Sequence, residues 1–206
     1  TEAPRALTSE RRLDGTLVRA YMDPLFGRGY PVDVSADLGA DAPQIEPGDM
    51  ATIATPMDFL GINYYSRTVV SAGAPWDVHS SGLPLTDMGW EVYPEGLTDL
   101  LLRLHRDYPV PPLFVTENGG AFVDHLVDGH VHDRDRTSYI ASHIAAVGAA
   151  LGRGVPMAGY MVWSLMDNFE WASGYDKRFG IVFVDYATQQ RTLKDSARWY
   201  RRFLQH

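Results

Sequence analysis

The chain has 206 residues, of which 45% are hydrophobic and 12% aromatic, so it can bury a sizeable core as one domain or as part of a larger one. It contains no cysteine, which excludes a disulfide framework, a thiolate metal site and a cysteine nucleophile, and its net charge of -8 argues against a nucleic-acid partner. No apolar stretch approaches the roughly 20 residues of a membrane span, so we expect no membrane partner, and a cysteine-free chain fits a cytoplasmic location.

The first half of the sequence predicts a helix, a long connection and a strand. Ser9 can cap a helix that ends near Gly27. Residues 27–56 are rich in Gly, Pro and Asp, which is typical of a long surface connection. An apolar strand is predicted at 59–65, and residues 71–91 again have the composition of a loop.

Helices and strands alternate in the second half. The predicted elements are a helix opened by Pro94, a strand at 113–117, a hairpin on the Asp128-Gly129 turn, a helix at 137–151, a strand at 159–165, a short extra strand at 179–184 and a last helix capped by Asp195 or Ser196. This alternation predicts an α/β fold with parallel strands and right-handed crossovers. A complete (β/α)8 barrel needs about 250 residues, and the sequence offers only the last three strands of one.

Polar side chains follow each of the three long predicted strands. Glu117 closes the apolar run 113–116, and a carboxylate at this place is costly to desolvate unless something satisfies or uses it. The only three asparagines, Asn63, Asn118 and Asn168, each come just past an apolar strand. Because barrels place their chemistry at the carboxyl ends of strands, these positions predict a shared rim of hydrogen-bonding groups at one end of the sheet.

Several spaced motifs in this region resemble those of a known family. They are Phe59–Tyr65 (FLGINYY), Gly89–Pro94 (GWEVYP), Val115–Gly119 (VTENG), Trp163–Trp171 (WSLMDNFEW) and Lys177–Ile181 (KRFGI). In this order they resemble family 1 glycoside hydrolases of the β-glucosidase type, over about Arg12 to Leu204. The resemblance implies that residues 1–206 are the C-terminal part of a single (β/α)8 TIM barrel, with the N-terminal part absent.

The resemblance also implies an activity and a set of site residues. Members hydrolyse terminal β-D-glucosides with retention, using two carboxyl groups about 5 Å apart. Glu117 matches the nucleophile, and Tyr65 matches the hydroxyl beside it. The residues that match substrate-binding positions are Asn63, Trp163, Glu170, Trp171 and Phe179. Glu170 would repel a phosphate, so an unphosphorylated β-glucoside or oligosaccharide is expected, with some tolerance for galactosides or fucosides. No cofactor and no metal ion are expected.

One part of the family pattern is missing from the sequence. The acid/base glutamate of the family lies in an Asn-Glu-Pro motif on an earlier strand, and no Asn-Glu dipeptide occurs here. The resemblance therefore implies a partner, either the N-terminal part of the same enzyme or another copy of the chain. The alternative function is a catalytically silent C-terminal fragment or sugar-binding half-barrel, and a third is a different barrel enzyme that uses Glu117 and Glu170 as its own acid pair. Open sheet edges would make the isolated chain associate.

Structural roles compete with each of these assignments. Glu117 can be a strand-end acid satisfied by backbone N–H groups, and Trp163 can belong to the core. Asn63 and Tyr65 can bond to each other, and Glu170 can be a solvated loop acid.

The histidines near the predicted hairpin suggest a metal site, but their spacing argues against one. His125, His130 and His132 have ligand-type side chains and lie close to aspartates. A hairpin places alternate residues on opposite faces, which leaves no closed set of four ligands.

Overall fold

The computed structural model describes residues 3–70 and 82–205, with the backbone alone for residues 3–8. The chain forms two compact units. Of the described residues, 3–58 and 68–70 belong to the first unit, and 59–67 and 82–205 belong to the second. Most of the predicted loop at 71–91 lies outside the described residues.

The first unit is made of short helices. These are α1 (Ala3–Asp14), a π-helical turn (Gly15–Arg19), α2 (Ala20–Leu25), α3 (Val32–Leu38), a 3-10 turn (Gly39–Asp41) and α4 (Asp49–Ile53). The prediction that Ser9 caps the first helix is wrong, because Ser9 lies inside α1. The prediction of a plain connection at 27–56 is also wrong, because α3 and α4 lie there. Helices of seven and five residues are too short for their apolar spacing to stand out.

Two contacts hold α3 against the first helical stretch. Arg19 donates to Asp14 at 3.0 Å and to Asp33 at 2.8 Å, and the hydrogen bond to Arg19 is the main cause that lowers the pKa of Asp33 to about 2. Gly15 is buried, and a Cβ at this position would come within 2.6 Å of a methyl group of Val34. Close packing therefore requires glycine at this turn.

The second unit is built on a three-stranded parallel sheet. Its elements are β1 (Leu60–Asn63), α5 (Pro94–Asp107), β2 (Leu113–Asn118), β3 (Leu126–Val127), β4 (His130–Val131), α6 (Arg134–Leu151), β5 (Met157–Val162), β6 (Val182–Val184), β7 (Arg191–Leu193) and α7 (Asp195–Phe203). The sheet order is β1-β2-β5, with both pairs parallel. The antiparallel pairs are β3 with β4 and β6 with β7. The predicted alternation and the Asp-Gly hairpin are confirmed.

The end of the unit differs from the prediction in two places. The extra strand at 179–184 shortens to β6, which pairs with the unpredicted β7. Neither Asp195 nor Ser196 caps α7, because α7 begins at Asp195 without a side-chain cap. Instead, the carboxylate of Asp133, just before α6, accepts the N–H of Ser196 at 2.8 Å. A cap supplied from 63 residues away has no local sequence signature.

The core lies between the sheet and its covering helices. The buried side chains include Leu97, Leu101 and Leu104 of α5, Leu113 and Val115 of β2, and Tyr139 and Ile140 of α6. The leucines of α5 recur at helical spacing and form one apolar face.

Among the described residues, no helix is both long and apolar enough to cross a bilayer.

The opposite face of the sheet is open in the described part of the chain. Phe59 next to β1 is 54% exposed and Met161 on β5 is 48% exposed. Phe114 lies between them, edge-on to Phe59, with its ring over Gly159. Within this sheet β1 and β5 each pair with β2 alone. Parallel sheets are normally covered on both faces, so this face is typical of a barrel interior whose other strands are missing.

Candidate active site

A bulge in β2 determines where Glu117 lies. Val115 pairs with Ile62 of β1, but the next pair joins Glu117 to Asn63, so Thr116 is an extra residue on β2. Against β5 the strand β2 also has one extra residue before its last pair. An extra residue interrupts the alternation of side chains between the two faces of a strand.

The bulge turns Glu117 away from the helices. Leu113 and Val115 of β2 are fully buried in the core. Strict alternation would send Glu117 to the same side, whereas the structure buries Asn118 there and leaves Glu117 partly exposed. The carboxylate thus avoids the cost of burial beneath the helices.

Tyr65 is the hydrogen-bond donor to Glu117. Its Oη donates to Oε2 of Glu117 at 2.6 Å. Burial, followed by the hydrogen bond to Glu117, raises the pKa of Tyr65 above its ordinary value. The phenol therefore stays protonated and available as a donor to a carboxylate.

Glu170 is a second carboxyl group in the field of Glu117. Burial and the negative charge of Glu117 raise the pKa of Glu170, while a hydrogen bond from the Trp163 side chain acts in the opposite direction. Trp163 follows β5, and its backbone N–H donates to the carbonyl of Asn118 at 2.9 Å. The ends of the three strands therefore bring Glu117, Tyr65, Trp163 and Glu170 together.

Three aromatic rings, one of them the ring of Tyr65, pack against one another. The buried ring of Phe179 lies 6.1 Å from the ring of Tyr65, between centroids. Trp90 lies 5.6 Å from Tyr65 and 6.2 Å from Phe179. The sequence reasoning did not place Trp90 among the site residues, although it lies in one of the quoted motifs. The motif was therefore the signal that could have identified it.

Asn63 and Trp171 lie at the margin of this group. Asn63 is exposed, and its Oδ1 accepts from the hydroxyl of Thr116 at 2.7 Å. Trp171 begins a 3-10 turn directly after Glu170, and its side chain is 82% exposed. Both therefore present polar or aromatic surface on the exposed side of the site.

The segment that carries Glu170 is anchored through the buried Asp167. Its Oδ1 accepts from the backbone of Gly180 at 3.0 Å and from Lys194 at 2.8 Å. Its Oδ2 accepts from Arg178 at 2.5 Å and from the backbone of Val184 at 3.3 Å. Four donors from four positions fix this segment to β6 and to the end of β7.

The charges around Lys194 continue into a buried network. Lys194 lies 2.5 Å from Asp124, and Arg136 lies 2.8 Å from Asp124 and 2.6 Å from Asp133. Burial and then the positive charge of Arg136 lower the pKa of Lys194, and its carboxylate neighbours oppose this shift. Sequence reasoning missed this network because its members are up to 70 residues apart.

The histidines of the hairpin make other contacts. The rings of His130 and His132 stack at 6.1 Å, and Nδ1 of His132 lies 2.7 Å from Asp195. In the part of the chain that the structure describes, no three His, Cys, Asp or Glu side chains form a group that could hold a metal ion.

Comparison with known proteins identifies the family. The family model described as glycosyl hydrolase family 1 matches residues 1–206. β-Glucosidase A of Thermotoga maritima is 44% identical over 185 residues, which are 87% of this chain and 42% of that protein. The bifunctional β-D-glucosidase/β-D-fucosidase of Bifidobacterium breve is 41% identical over 210 residues, covering 90% of this chain and 46% of that protein.

Solved structures agree with this match. The GH1 β-glucosidase from Exiguobacterium antarcticum B7 superposes with a TM-score of 0.89 at 44% identity, covering 98% of this chain and 46% of that chain. The family 1 β-glucosidase from Thermotoga maritima gives a TM-score of 0.90 at 40% identity, covering 97% and 46%. The chain spans slightly less than half the length of these relatives, and the prediction of an incomplete (β/α)8 barrel is confirmed. By sequence and by fold, this chain belongs to glycosyl hydrolase family 1.

Proposed function

We propose that this chain supplies the nucleophile side of a retaining β-glycosidase that acts on terminal, unphosphorylated β-D-glucosides. The observation that carries the proposal is the Glu117–Tyr65 pair. A carboxylate stands at the C-terminal end of a parallel strand, turned away from the helices by a bulge, and accepts a 2.6 Å hydrogen bond from a phenol. Strand ends of this kind are where (β/α)8 enzymes place their reacting groups.

The proposed chemistry assigns Glu117 the covalent step. An oxygen of its carboxylate attacks the anomeric carbon, and the bond from that carbon to the leaving oxygen breaks, which gives a glycosyl ester. The Tyr65 hydroxyl holds the other carboxylate oxygen through its 2.6 Å hydrogen bond. The proton for the leaving oxygen comes from an acid outside this sequence, since the sequence has no Asn-Glu-Pro motif.

The other side chains suit recognition of a neutral sugar. Trp163 offers a ring for the C–H face of the sugar, and Glu170 offers two acceptor oxygens for hydroxyl groups. Asn63 and Trp171 add an amide and an indole N–H on the exposed side, and the ring of Phe179 packs edge-on against the ring of Tyr65. With two carboxyl groups close enough to affect each other, the site disfavours a phosphorylated sugar.

The names of the relatives point to the same substrates. One is a β-glucosidase and another a bifunctional β-D-glucosidase/β-D-fucosidase. A site built for glucosides with tolerance for fucosides is consistent with both names. The finer choice between glucosides and galactosides stays a prediction, as does the cytoplasmic location.

The functional unit in this proposal contains more polypeptide than the 206 residues. The open sheet face and the two edge strands are surfaces on which further barrel strands can pair. The missing acid also needs a source. A second copy of the chain has no Asn-Glu-Pro motif either, so the N-terminal part of the same enzyme is the better partner.

The test uses an assembled enzyme, which we define as the full chain in complex with the N-terminal part of Thermotoga maritima β-glucosidase A. A 2-deoxy-2-fluoro-β-glucoside should label the assembled enzyme on Glu117, as read by mass spectrometry of peptides. Glu117→Gln should abolish both labelling and turnover, because an amide cannot form the ester. Glu95→Gln, an isosteric change of an exposed acid in α5, should leave both intact. A label on another residue, or undiminished turnover of Glu117→Gln, would refute the assignment.

A second function is favoured by the missing acid and the open face. In this alternative the chain by itself is a catalytically silent fragment or sugar-binding half-barrel. Hydrolysis of a chromogenic β-glucoside by the isolated chain would exclude it. A rate that is restored only when the N-terminal partner is added would support it and would also exclude Glu117 and Glu170 as a self-sufficient acid pair.

A further inference from the structure

Asn118, the residue after Glu117, joins the ends of all three strands. Its Nδ2 donates to the backbone carbonyl of Tyr64, just past β1, at 2.7 Å. Its Oδ1 accepts from the hydroxyl of Tyr160 on β5 at 2.6 Å. Its backbone carbonyl accepts from the N–H of Trp163 at 2.9 Å. The residue that ends the bulge is therefore bonded to both neighbouring strands.

A third branch runs from Asn118 through α6 to Tyr65. The Tyr139 hydroxyl lies 3.3 Å from Nδ2 of Asn118 and donates to the backbone carbonyl of Tyr65 at 2.8 Å. The Tyr65 side chain then donates to Glu117. Asn118 therefore has a link to each residue of the Tyr65–Glu117 hydrogen bond. It follows Glu117 in the chain, and it reaches the backbone of Tyr65 through the Tyr139 hydroxyl.

The chemistry of this group permits one orientation of the amide. The Tyr64 carbonyl can only accept, so it requires the NH2 end of Asn118, and Oδ1 then faces Tyr160. Asn118 and Tyr139 are almost completely buried, where an unmade hydrogen bond has no water to replace it. Neither Asp nor Leu can reproduce this set of donors and acceptor.

From these contacts we infer that Asn118 is a positioning residue for Glu117: it locks the bulge of β2 and, through Tyr139, holds the backbone of Tyr65, so that the carboxylate meets its hydrogen-bond donor. This inference rests on the proposed function for its catalytic consequence. Its structural content is independent of activity, because it predicts the geometry of the Tyr65–Glu117 pair.

Three variants and one matched control test the inference in the assembled enzyme. Asn118→Leu removes all hydrogen bonds of the Asn118 side chain. Tyr139→Phe and Tyr160→Phe each remove one hydroxyl and are the milder changes should Asn118→Leu fail to fold. Tyr200→Phe is the control, because its hydroxyl donates to the Tyr160 carbonyl at 3.1 Å and does not contact Asn118.

The first readout separates attack from sugar binding. The rate constant for labelling by the 2-deoxy-2-fluoro-β-glucoside should fall about 10-fold to 100-fold in Asn118→Leu and Tyr139→Phe, because a small misplacement of a nucleophile is expensive. The inhibition constant of glucose should change less than about threefold, and Tyr200→Phe should label within about twofold of the unsubstituted enzyme. Labelling rates that fall equally in Tyr200→Phe, or that do not fall in Asn118→Leu and Tyr139→Phe, would overturn the inference.

The second readout is structural and does not need turnover. Crystal structures of Tyr139→Phe and Tyr160→Phe should show the Tyr65 Oη to Glu117 Oε2 distance lengthened from 2.6 Å, or the bulge shifted. An unchanged Tyr65–Glu117 distance together with an unchanged bulge would overturn the inference. If the unsubstituted assembled enzyme neither hydrolyses nor labels, the proposed function fails, while this geometry still decides whether Asn118 positions Glu117.

Discussion

His143 is a buried titratable residue whose role is structural. It lies on α6, is fully buried, and stacks on Tyr139 with ring centroids 3.9 Å apart. Its Nδ1 donates to the carbonyl of Tyr139 at 2.8 Å, whereas its buried Nε2 has no hydrogen-bond partner among the described residues. A proton added at Nε2 would be buried without an acceptor, so the neutral ring is the form that the fold accommodates.

His143 makes the fold sensitive to acid. Burial is the main cause that lowers its pKa from 6.5 to about 4. Since the folded state disfavours the proton, stability is fully present above pH 6.5 and is lost as the pH falls from 6.5 towards 4. Between pH 7 and pH 4.5 this residue should contribute a loss of roughly 2 kcal/mol.

The measurement is the free energy of unfolding in urea, for the assembled enzyme at both pH values. His143→Gln should lose the part of the pH dependence that this ring contributes, whatever it does to stability at pH 7. His105→Gln changes an exposed histidine on α5 and should keep the original dependence. The same pH dependence in His143→Gln and His105→Gln would show that His143 is not the responsible group.

A buried charge network joins helices and strands that are distant in sequence. Lys194 at the end of β7 lies between Asp124, after β2, and Asp167, after β5. All three side chains are inaccessible to solvent. Because Asp167 also holds the segment that carries Glu170, the network links the packing of α6 and β7 to the site.

Lys194→Met should therefore destabilise the protein strongly. Removing one partner of a buried ion pair leaves uncompensated charge, which typically costs about 3–5 kcal/mol. Lys177→Met is the matched control, because Lys177 pairs with Asp87 at 3.0 Å in a partly exposed setting and should cost less than about 1 kcal/mol. Urea unfolding of both variants at neutral pH checks this difference. Equal losses of unfolding free energy in the two variants would mean that burial of the Lys194 ion pairs does not add to stability.

The strands, helices and turns differ in how well the sequence could predict them. The apolar runs predicted the three strands, Pro94 predicted the start of α5, and the Asp128-Gly129 turn predicted the β3–β4 hairpin, because these signals are local. The rim of polar groups was predicted from residues that end strands. The bulge at Thr116 was not, since register depends on pairing with two other strands. Without the bulge, Glu117 would be expected to point towards the helices.

Long-range contacts account for the other misses. The carboxylate of Asp133 takes the place of a local cap for α7, and the Lys194 network has no spacing that a sequence pattern could reveal. The prediction for Asn118 is correct only in part. The asparagine was predicted to lie at the strand-end rim, but its side chain turns inward and binds Tyr64 and Tyr160.

At the scale of the whole molecule, the open sheet face determines how the chain should behave alone. Phe59 and Met161 expose apolar surface on one side of the sheet, and β1 and β5 each have an edge without a strand partner in the described part of the chain. Unpaired edges and uncovered apolar surface favour association with other chains. The N-terminal half of a barrel would cover both features at once.

We therefore expect the isolated chain to elute from size-exclusion chromatography as species larger than its 23.0 kDa mass, and to form a one-to-one complex when the N-terminal part of Thermotoga maritima β-glucosidase A is added. Met161→Lys should reduce association of the isolated chain, because a buried lysine on the open face is costly. Leu17→Lys changes a residue of similar exposure, 53% against 48%, in the helical unit and should have no such effect. A compact, stable species at 23.0 kDa that ignores the N-terminal partner would contradict this expectation, because it would show that the open face needs no cover.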